Sequence, residues 1–322
     1  MRVRTIGLLS TTALAALALA GCSSSGDDAA ATATATPSAT AAALCDSAAP
    51  SGDAVEAVTV EGDAGTPSEA TFTAPLEVSE LQSTVVSEGD GDAIADGDWL
   101  NYAYTAYNAE TGEKLDEVGY EDGSLLPLQV SSDSVGFFTG CGAIGTRVIG
   151  AQPSSTGDDG TTYPAVIFVF DEMGLNPTAA WGEDQDPEDG FPTVTLAEDG
   201  TPTVDITGVT ASDTTQVETL KLGDGATVAD GDTVLVQYDG ISLADGNEFD
   251  SSWANGTPVS FSTSGVITGF TTALVGQTVG SQVVAIIPAA EAYGAEASDD
   301  VELSGQDLVF VIDILATQHA AS

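Results

Sequence analysis

The chain has 322 residues and a formal net charge of −45, from 50 acidic residues against 5 lysines and arginines. A surface this anionic repels phosphate backbones and anionic lipid, which argues against nucleic-acid binding and is explained by solubility alone. The single histidine, His319, lies near the end of the chain, so histidine-dependent catalysis and most transition-metal sites have almost no residues to use. The sequence therefore predicts a function that needs no metal and no cofactor.

Residues 1–21 have the pattern of a secretory signal peptide. Arg2 and Arg4 precede an apolar run from Ile6 to Ala20, which ends in small residues. Cys22 follows directly, and this arrangement resembles the bacterial lipobox, whose cysteine is lipidated and becomes the first residue. The alternative is a chance cysteine behind an ordinary signal peptide. The pattern predicts a protein anchored by a lipid on Cys22 at the extracytoplasmic face of the cell membrane.

Residues 22–44 are rich in Ala, Thr and Ser and offer little for a core to bury, which predicts a disordered tether. The remaining chain is long enough for two domains. Its only cysteines besides Cys22 are Cys45 and Cys141. Outside the cytoplasm, two thiols in a folded protein favour a disulfide over a metal site. Two free buried thiols are the alternative.

One part of the chain recurs further along it. Asp96-Gly97-Asp98 reappears as Asp230-Gly231-Asp232, an offset of 134 residues (230 − 96). The same offset relates Tyr104 to Tyr238, Gly112 to Gly246 and Asp116 to Asp250. Shared residues at one spacing indicate a duplicated domain. The division that follows is a first copy at 45–175, a linker at 176–205 that is rich in Pro and Gly, and a second copy at 206–322.

The acidic stretch 88–98 has the composition of a calcium loop. However, Ile94 stands where the EF-hand spacing requires an oxygen ligand. As turn-forming residues before a strand, these aspartates and glycines need no metal. We therefore expect turns here, with calcium binding as the alternative.

The second copy alternates strand signals with one helix signal. Runs of β-branched and aromatic residues bounded by turn residues predict strands at 233–238, 258–261, 281–287 and 307–315. Ile267, Phe270 and Leu274 recur at helical spacing and predict one short helix from Ile267 to Val275. Several strands around one helix predict an α+β domain, in which that helix alone covers an antiparallel sheet.

Seven motifs of the second copy occur in an order that a known family shares. They are Val236–Gly240, Asp245–Ser252, Pro258–Phe261, Gly265–Phe270, Leu274–Gly280, Ile287–Gly294 and Leu308–Phe310. In this order they resemble the FKBP-type peptidyl-prolyl cis–trans isomerases. The resemblance implies two FKBP-like domains, each an antiparallel sheet of about five strands wrapped around one short helix. It also implies an aromatic pocket for a proline ring in the second copy.

The resemblance assigns a role to ten positions of the second copy. The catalytic set that it implies is Tyr238, Phe249, Asp250, Ile267, Tyr293 and Phe310, with Val259, Phe261, Val266 and Phe270 binding substrate. Tyr293 and the backbone N–H of Ile267 are expected to donate to the substrate carbonyl, and Asp250 to orient the rotating group. Phe249, Phe270 or Phe310 taken alone would more often be a core residue, and Asp250 with its two following serines could be a capping turn.

Two departures from the family weaken the expected grip on substrate. The floor position that usually holds tryptophan is Phe270, and the loop 294–303 lacks the usual Ile-Pro-Pro segment. The first copy departs further, with Leu115 in place of Phe249, Cys141 in place of Phe270, and only Tyr163 as a poor substitute for Tyr293. The first copy is therefore predicted to be inactive and kept for spacing or client binding, with Cys141 placed at its helix for a disulfide to Cys45.

These observations predict a tethered monomer that isomerises X-Pro bonds of exported proteins at the cell surface. Its expected partners are prolyl-containing exported polypeptides, macrolide inhibitors and the membrane through the lipid anchor. The main alternative is a non-catalytic module that holds prolyl segments in the manner of a chaperone. A weaker one is a structural surface protein with two relic domains.

Overall fold

The computed structural model describes residue 44 and residues 46–131, 142–298 and 303–320. The predicted signal peptide, nearly all of the tether, and the cysteines Cys22, Cys45 and Cys141 lie outside these residues, so the lipidation and the disulfide stay predictions. Among the described residues, no helix combines the length and the apolar character that crossing a membrane requires.

The described elements are mostly strands. Between residues 53 and 175 they are α1 (Asp53–Glu56), β1 (Thr59–Glu61), β2 (Glu69–Thr71), β3 (Gln82–Ser87), β4 (Trp99–Asn108), β5 (Lys114–Val118), β6 (Leu128–Gln129), β7 (Arg147–Gln152), β8 (Ser155–Thr156), β9 (Thr162–Tyr163) and β10 (Val166–Leu175). Between residues 183 and 318 they are β11 (Glu183–Asp184), β12 (Thr193–Leu196), β13 (Pro202–Asp205), β14 (Gln216–Leu222), β15 (Thr233–Ser242), β16 (Glu248–Ser251), α2 (Ser252–Asn255), β17 (Val259–Ser262), α3 (Thr268–Leu274), β18 (Gln282–Ile287), a 3₁₀ turn (Ala289–Glu291) and β19 (Leu308–Gln318).

Both copies have the same strand order. The first sheet runs β3-β7-β10-β4-β5, with β6 also paired to β4, and the second runs β14-β18-β19-β15-β16, with β17 also paired to β15. All of these pairs are antiparallel, and β11 extends the second sheet beyond β14. Equivalent strands also share their register, since Ala106 lies opposite Asp116 and Gly240 lies opposite Asp250. The repeated sequence pattern thus corresponds to a repeated topology.

A hairpin covers the outer face of each sheet. In β1–β2, Val60 and Ala70 pack against buried residues of β4, β7 and β10, and in β12–β13, Val194 and Val204 pack against buried residues of β15, β18 and β19. The hairpins are themselves repeated at the offset of the copies (193 − 59 = 134). The segment 176–205, expected as a linker, therefore carries a layer of the second copy.

The inner face of the second sheet is covered by α3, close to where the spacing predicts a helix. Phe270, Ala273 and Leu274 of α3 are buried in the same cluster as Val283 of β18 and Ile312 of β19. The sequence pattern suggested that the helix alone covers the sheet. That expectation is wrong, because the hairpin β12–β13 covers the other face. This explains why all six residues of β18 are buried, since a strand covered on both faces has no solvent side.

The described fold is more sheet-rich than an α+β domain. The helices α1, α2 and α3 have 4, 4 and 7 residues, and hairpins take the place that covering helices would have. The expectation holds in the coarser form of antiparallel sheets with few helices. Neither β14 nor β16 was predicted as a strand, because polar and charged side chains interrupt the apolar alternation at these sheet positions.

A buried aspartate of the last strand docks the preceding segment in each copy. In the first copy, Asp171 accepts hydrogen bonds from the Arg147 guanidinium at 2.6 and 2.7 Å. Arg147, which is 1% exposed, also donates to the carbonyls of Gly62 and Thr66 in the hairpin loop at 2.8 and 2.6 Å. The outer hairpin of this copy is therefore held by a buried cation as well as by apolar packing.

In the second copy, the aspartate of the last strand docks the preceding segment without accepting a hydrogen bond from any cation that the structure describes. Asp313 accepts from the Gln282 side chain and from the backbone N–H of Ala180, both at 2.7 Å. Burial raises the pKa of Asp313 to about 6, because its charged form is removed from water. Ala180 belongs to the segment before the hairpin, so this bond ties that segment to the sheet.

Candidate active site

A cavity of about 280 Å³ opens between the inner face of the second sheet and α3. It is lined by Tyr238, Phe249, Asp250, Phe261, Gly265, Val266, Ile267, Phe270, Tyr293 and Phe310. The structure thus brings together nine of the ten predicted pocket residues. Val259 is the exception, since it packs against the same core on β17 without lining the cavity. Gly265 lines the cavity although the sequence had not singled it out.

The floor of the cavity consists of aromatic rings from four elements. Phe270 of α3 lies 5.2 Å from Phe310 of β19 and 6.1 Å from Tyr238 of β15, measured between ring centroids and nearly perpendicular in both cases. Phe261 of β17 lies 5.9 Å from Phe270, also edge-to-face. This arrangement is the favoured one for aromatic quadrupoles and fixes the rings as a rigid apolar surface.

The turn Phe249-Asp250-Ser251-Ser252 supplies both the rim and its anchor. The ring of Phe249 stands perpendicular to that of Phe310 at 5.5 Å. Ser251 caps α2 by accepting from the Ala254 N–H at 3.3 Å, and Ser252 accepts from the Tyr238 N–H at 2.7 Å. The two serines therefore form the capping turn that was the alternative reading, while the two residues before them line the cavity.

A hydrogen bond joins the two polar groups at the cavity edge. The Tyr238 hydroxyl donates to Asp250 Oδ2 at 2.5 Å. Burial, followed by the bond to Asp250 and its charge, raises the pKa of Tyr238, so the phenol stays protonated. Because the Tyr238 hydroxyl donates its hydrogen bond to Asp250, it is not available to a substrate. Tyr238 contributes only its ring to the apolar surface of the cavity.

Two donors near the cavity are not used by other groups. Tyr293 follows the 3₁₀ turn and is 43% exposed, and neither its hydroxyl nor the backbone N–H of Ile267 has an acceptor among the described residues. The loop before Tyr293 is held in place because Glu291 accepts from the hydroxyl and the N–H of Thr215 at 2.6 and 3.0 Å. The site thus combines an apolar floor with two available donors at its edge.

The equivalent place in the first copy keeps only part of this arrangement. Tyr104 donates to Asp116 Oδ2 at 3.2 Å, and its ring lies edge-to-face with Phe168 at 5.9 Å. Burial and then Asp116 raise the pKa of Tyr104 to about 12. Leu115 and Tyr163, which stand for Phe249 and Tyr293 in this copy, are 50% and 54% exposed. The segment with Cys141 lies outside the described residues.

The acidic residues show no metal-binding arrangement in the part of the chain that the structure describes. Asp98 accepts the N–H of Ala95 at 2.7 Å, and Asp232 accepts that of Ala229 at 2.8 Å. These carboxylates close equivalent turns in the two copies.

Comparison with known proteins places the second copy in one group. The sequence model of a family described as FKBP-type peptidyl-prolyl cis-trans isomerase matches residues 225–315. The chain is 38% identical over 100 residues to a probable FK506-binding protein of Corynebacterium glutamicum, which covers 31% of this chain and 84% of that protein. It is 36% identical over 118 residues to an FK506-binding protein of Streptomyces anulatus, covering 36% and 95%. It is also 36% identical over 106 residues to the outer membrane protein MIP of Legionella longbeachae, covering 33% and 45%.

Proposed function

The chain belongs to the FKBP-type peptidyl-prolyl cis–trans isomerase family, and we propose that its second copy isomerises X-Pro bonds of exported proteins at the cell surface. The observation that carries the proposal is the cavity itself. An aromatic floor, a ring at the rim and two unused donors converge on a space that suits a proline ring. The first copy is assigned no turnover.

The chemistry asks little of the protein. Rotation about an X-Pro bond is opposed by a barrier of roughly 18–20 kcal/mol, because the amide loses its resonance as it twists. The twisted amide has a less polar carbonyl, so a pocket that excludes water favours it over the planar ground state. Phe249, Phe270 and Phe310, together with Val266 and Ile267, supply those walls.

The two donors act on the carbonyl of the residue before proline. Tyr293 and the backbone N–H of Ile267 hold this carbonyl while the prolyl side rotates. Asp250 fixes Tyr238 and faces the rotating group as an oriented carboxylate rather than as a base. No proton moves and no covalent bond forms, so the residues named here suffice for the reaction.

The test is a cis–trans isomerisation assay on a prolyl peptide with the full chain. Phe249→Ala should lower kcat/KM by about tenfold or more, because the rim wall is lost while the fold is kept. The matched control is Leu115→Ala in the first copy, which should leave the rate unchanged. A folded chain with no rate above background would overturn the assignment as an enzyme.

The anchor and the location form a separate part of the proposal. The lipobox-like pattern at Cys22 and the similarity to an outer membrane protein support a lipid anchor and a place of action outside the cytoplasm. A monomer is proposed as the simplest assembly. Cys22→Ser should move the protein from the membrane fraction to the soluble fraction and abolish labelling by a fatty acid. A Cys22→Ser variant that stays with the membrane would contradict the anchor and leave the isomerase assignment intact.

A non-catalytic module that binds prolyl segments is the second candidate. The smaller floor ring, Phe270, favours it, since this ring offers a prolyl substrate less surface than the tryptophan usual in the family. A macrolide ligand distinguishes the two functions when its affinity is measured by calorimetry beside the isomerisation assay. Tight binding with negligible turnover would support the binding module, and binding with turnover the enzyme.

A further inference from the structure

We propose that Gly240 is a positioning residue, whose missing side chain lets Phe249 form the rim wall of the prolyl pocket. Gly240 does not line the cavity, so it acts through the ring and not through the substrate. The proposal rests on the proposed function, because the ring that Gly240 positions is assigned there to the pocket.

The geometry leaves no room for a methyl group at this position. Gly240 lies in β15 between β16 and β19, opposite Asp250 on one side and Phe310 on the other. A Cβ atom here would lie 2.7 and 2.9 Å from Cζ and Cε2 of Phe249, and 2.9 Å from Cε1 of Phe310. Carbon atoms in contact are normally about 3.5–4.0 Å apart. Both rings stand inside this distance, so both contacts would have to lengthen, and the less confined ring would move further.

The packing decides which ring moves. Phe310 is 4% exposed on a central strand, and Phe270 and Tyr238 pack against it at 5.2 and 6.3 Å. Phe249 is only partly buried, stands at the rim, and presents the far end of its ring to Gly240. A methyl group on residue 240 would thus displace Phe249 outwards further than it displaces the confined Phe310.

The first copy contains the opposite combination at the same register. Ala106, which is buried, lies opposite Asp116 as Gly240 lies opposite Asp250. Leu115 replaces Phe249 there and is 50% exposed. The copy that carries the methyl group is therefore the copy that lacks the ring.

A backbone requirement does not explain the glycine. The pairing of β15 with β16 shifts register just after Gly240, which is a place where glycine is often needed. The pairing of β4 with β5 has the same shift just after Ala106, and alanine is accommodated there. Gly240 also lacks the positive φ that would favour glycine. The constraint comes from the aromatic rings.

A double-mutant cycle on the full chain tests the proposal, using kcat/KM for a prolyl peptide. Gly240→Ala and Phe249→Leu should each lower kcat/KM by about tenfold or more. The double variant should be no slower than Phe249→Leu alone, because the methyl group then has no Phe249 ring to displace from the pocket. Ala106→Gly in the first copy is the matched control and should leave kcat/KM unchanged. Additive losses, or an unchanged rate in Gly240→Ala, would overturn the proposal.

Two further measurements keep the test decisive. If Gly240→Ala alone fails to fold, the double variant should recover the thermal stability of Phe249→Leu, and a double variant that also fails to fold would overturn the proposal. Fluorine NMR of chains labelled with 4-fluorophenylalanine follows the ring without turnover, with the Phe249 signal assigned by its loss in Phe249→Leu. A Phe249 signal that moves in Gly240→Ala supports the positioning role even if the wild type shows no isomerisation, and one that stays in place refutes it.

Discussion

Tyr238 and Asp250 of the second copy are matched by Tyr104 and Asp116 of the first, and both pairs form a hydrogen bond between neighbouring strands. Only the second pair borders the aromatic cavity. The Tyr–Asp bond is thus a property of the shared scaffold, while the cavity depends on Phe249 and on the loop that carries Tyr293. The two copies therefore share the Tyr–Asp pair, and only the second copy adds Phe249 and Tyr293 to its pocket.

The copies also differ in how they hold the segment before each sheet. The first uses the buried ion pair of Arg147 and Asp171, and the second uses the neutral Gln282 with Asp313. Equivalent positions therefore both hold the preceding segment to the sheet, by an ion pair in one copy and by a hydrogen bond from a neutral amide in the other. The difference suggests that the two copies will respond unequally to the loss of one polar partner.

The largest effect is expected from Arg147→Ala. Removing one partner of a buried ion pair leaves Asp171 uncompensated, which costs about 3–5 kcal/mol in the free energy of unfolding. Chemical denaturation should show this loss, whereas Gln282→Ala should cost about 1–3 kcal/mol, because Asp313 keeps its bond from Ala180. Lys114→Ala removes an exposed ion pair and should change nothing measurable. Equal losses for Arg147→Ala and Gln282→Ala would remove the contrast between the copies.

The next effect concerns the tyrosine that only the second copy has at its pocket. Tyr293→Phe should lower kcat/KM by about tenfold, the equivalent of one neutral hydrogen bond to the substrate carbonyl. Tyr163→Phe in the first copy is the matched control and should leave the assay unchanged. An unaltered rate in Tyr293→Phe would remove this hydroxyl from the mechanism.

The pH dependence of stability should separate the copies as well. Burial, followed by the charge of Glu248, raises the pKa of Asp239 from 3.8 to about 7. The folded state therefore holds a proton that the unfolded chain releases, so the free energy of unfolding falls as pH rises between these values and levels off above about 7. Asp239→Asn should flatten this part of the curve in chemical denaturation, whereas the exposed Asp230→Asn should not. An unchanged slope in Asp239→Asn would contradict the assignment.

The first copy has its own buried acid with a different range. Burial raises the pKa of Glu172 to about 8, so its stabilising proton is lost at higher pH than that of Asp239. Glu172→Gln should therefore flatten the curve up to about pH 8. If the free energy of unfolding rose with pH in this range, it would contradict the claim that both acids hold a proton in the folded state.

A smaller effect should follow from charge. Lys221 is the only lysine or arginine after Arg147, and it pairs with Asp184 at 2.6 Å. Peptides with lysine before proline should react severalfold faster at low salt than peptides with glutamate there, and high salt should remove the difference. A preference that survives high salt would indicate a direct contact instead of the long-range field.

The last experiment should have no effect. Ala106→Gly with Leu115→Phe restores the glycine and the ring to the first copy, but not a tyrosine at the position of Tyr293. In a chain whose second copy is weakened by Phe249→Ala, this graft should add no isomerisation to the residual rate. A measurable gain would show that the ring wall alone is enough for turnover.

Much of the site follows from the sequence because its residues lie in motifs of fixed local spacing. The helix expected from Ile267 to Val275 is observed at Thr268–Leu274, since its apolar residues recur once per turn. The resemblance assigned Val259 to substrate binding, but Val259 does not line the cavity, because a shared motif does not say how far a side chain lies from a cavity. The role of Gly240 depends on two rings from other strands, which no local pattern contains.

The hairpins were missed for a different reason. Short strands in a segment rich in Pro and Gly have the composition of a linker, and their apolar residues are few. Two signals pointed the other way. Gly65-Thr66-Pro67 recurs as Gly200-Thr201-Pro202, and the uninterrupted apolar run of β18 requires cover on both faces of the sheet.

The hairpin β12–β13 also sets the boundary of any recombinant fragment made from the catalytic half. A fragment that began at residue 206 would lose Phe191, Val194 and Val204 from the cover over Val284, Ile286 and Val309, and the apolar surface so exposed invites aggregation. A fragment that begins before Ala180 would keep both the hairpin and the partner of Asp313. A stable fragment therefore has to be longer than the stretch matched by the family, 225–315, because it must include the hairpin β12–β13.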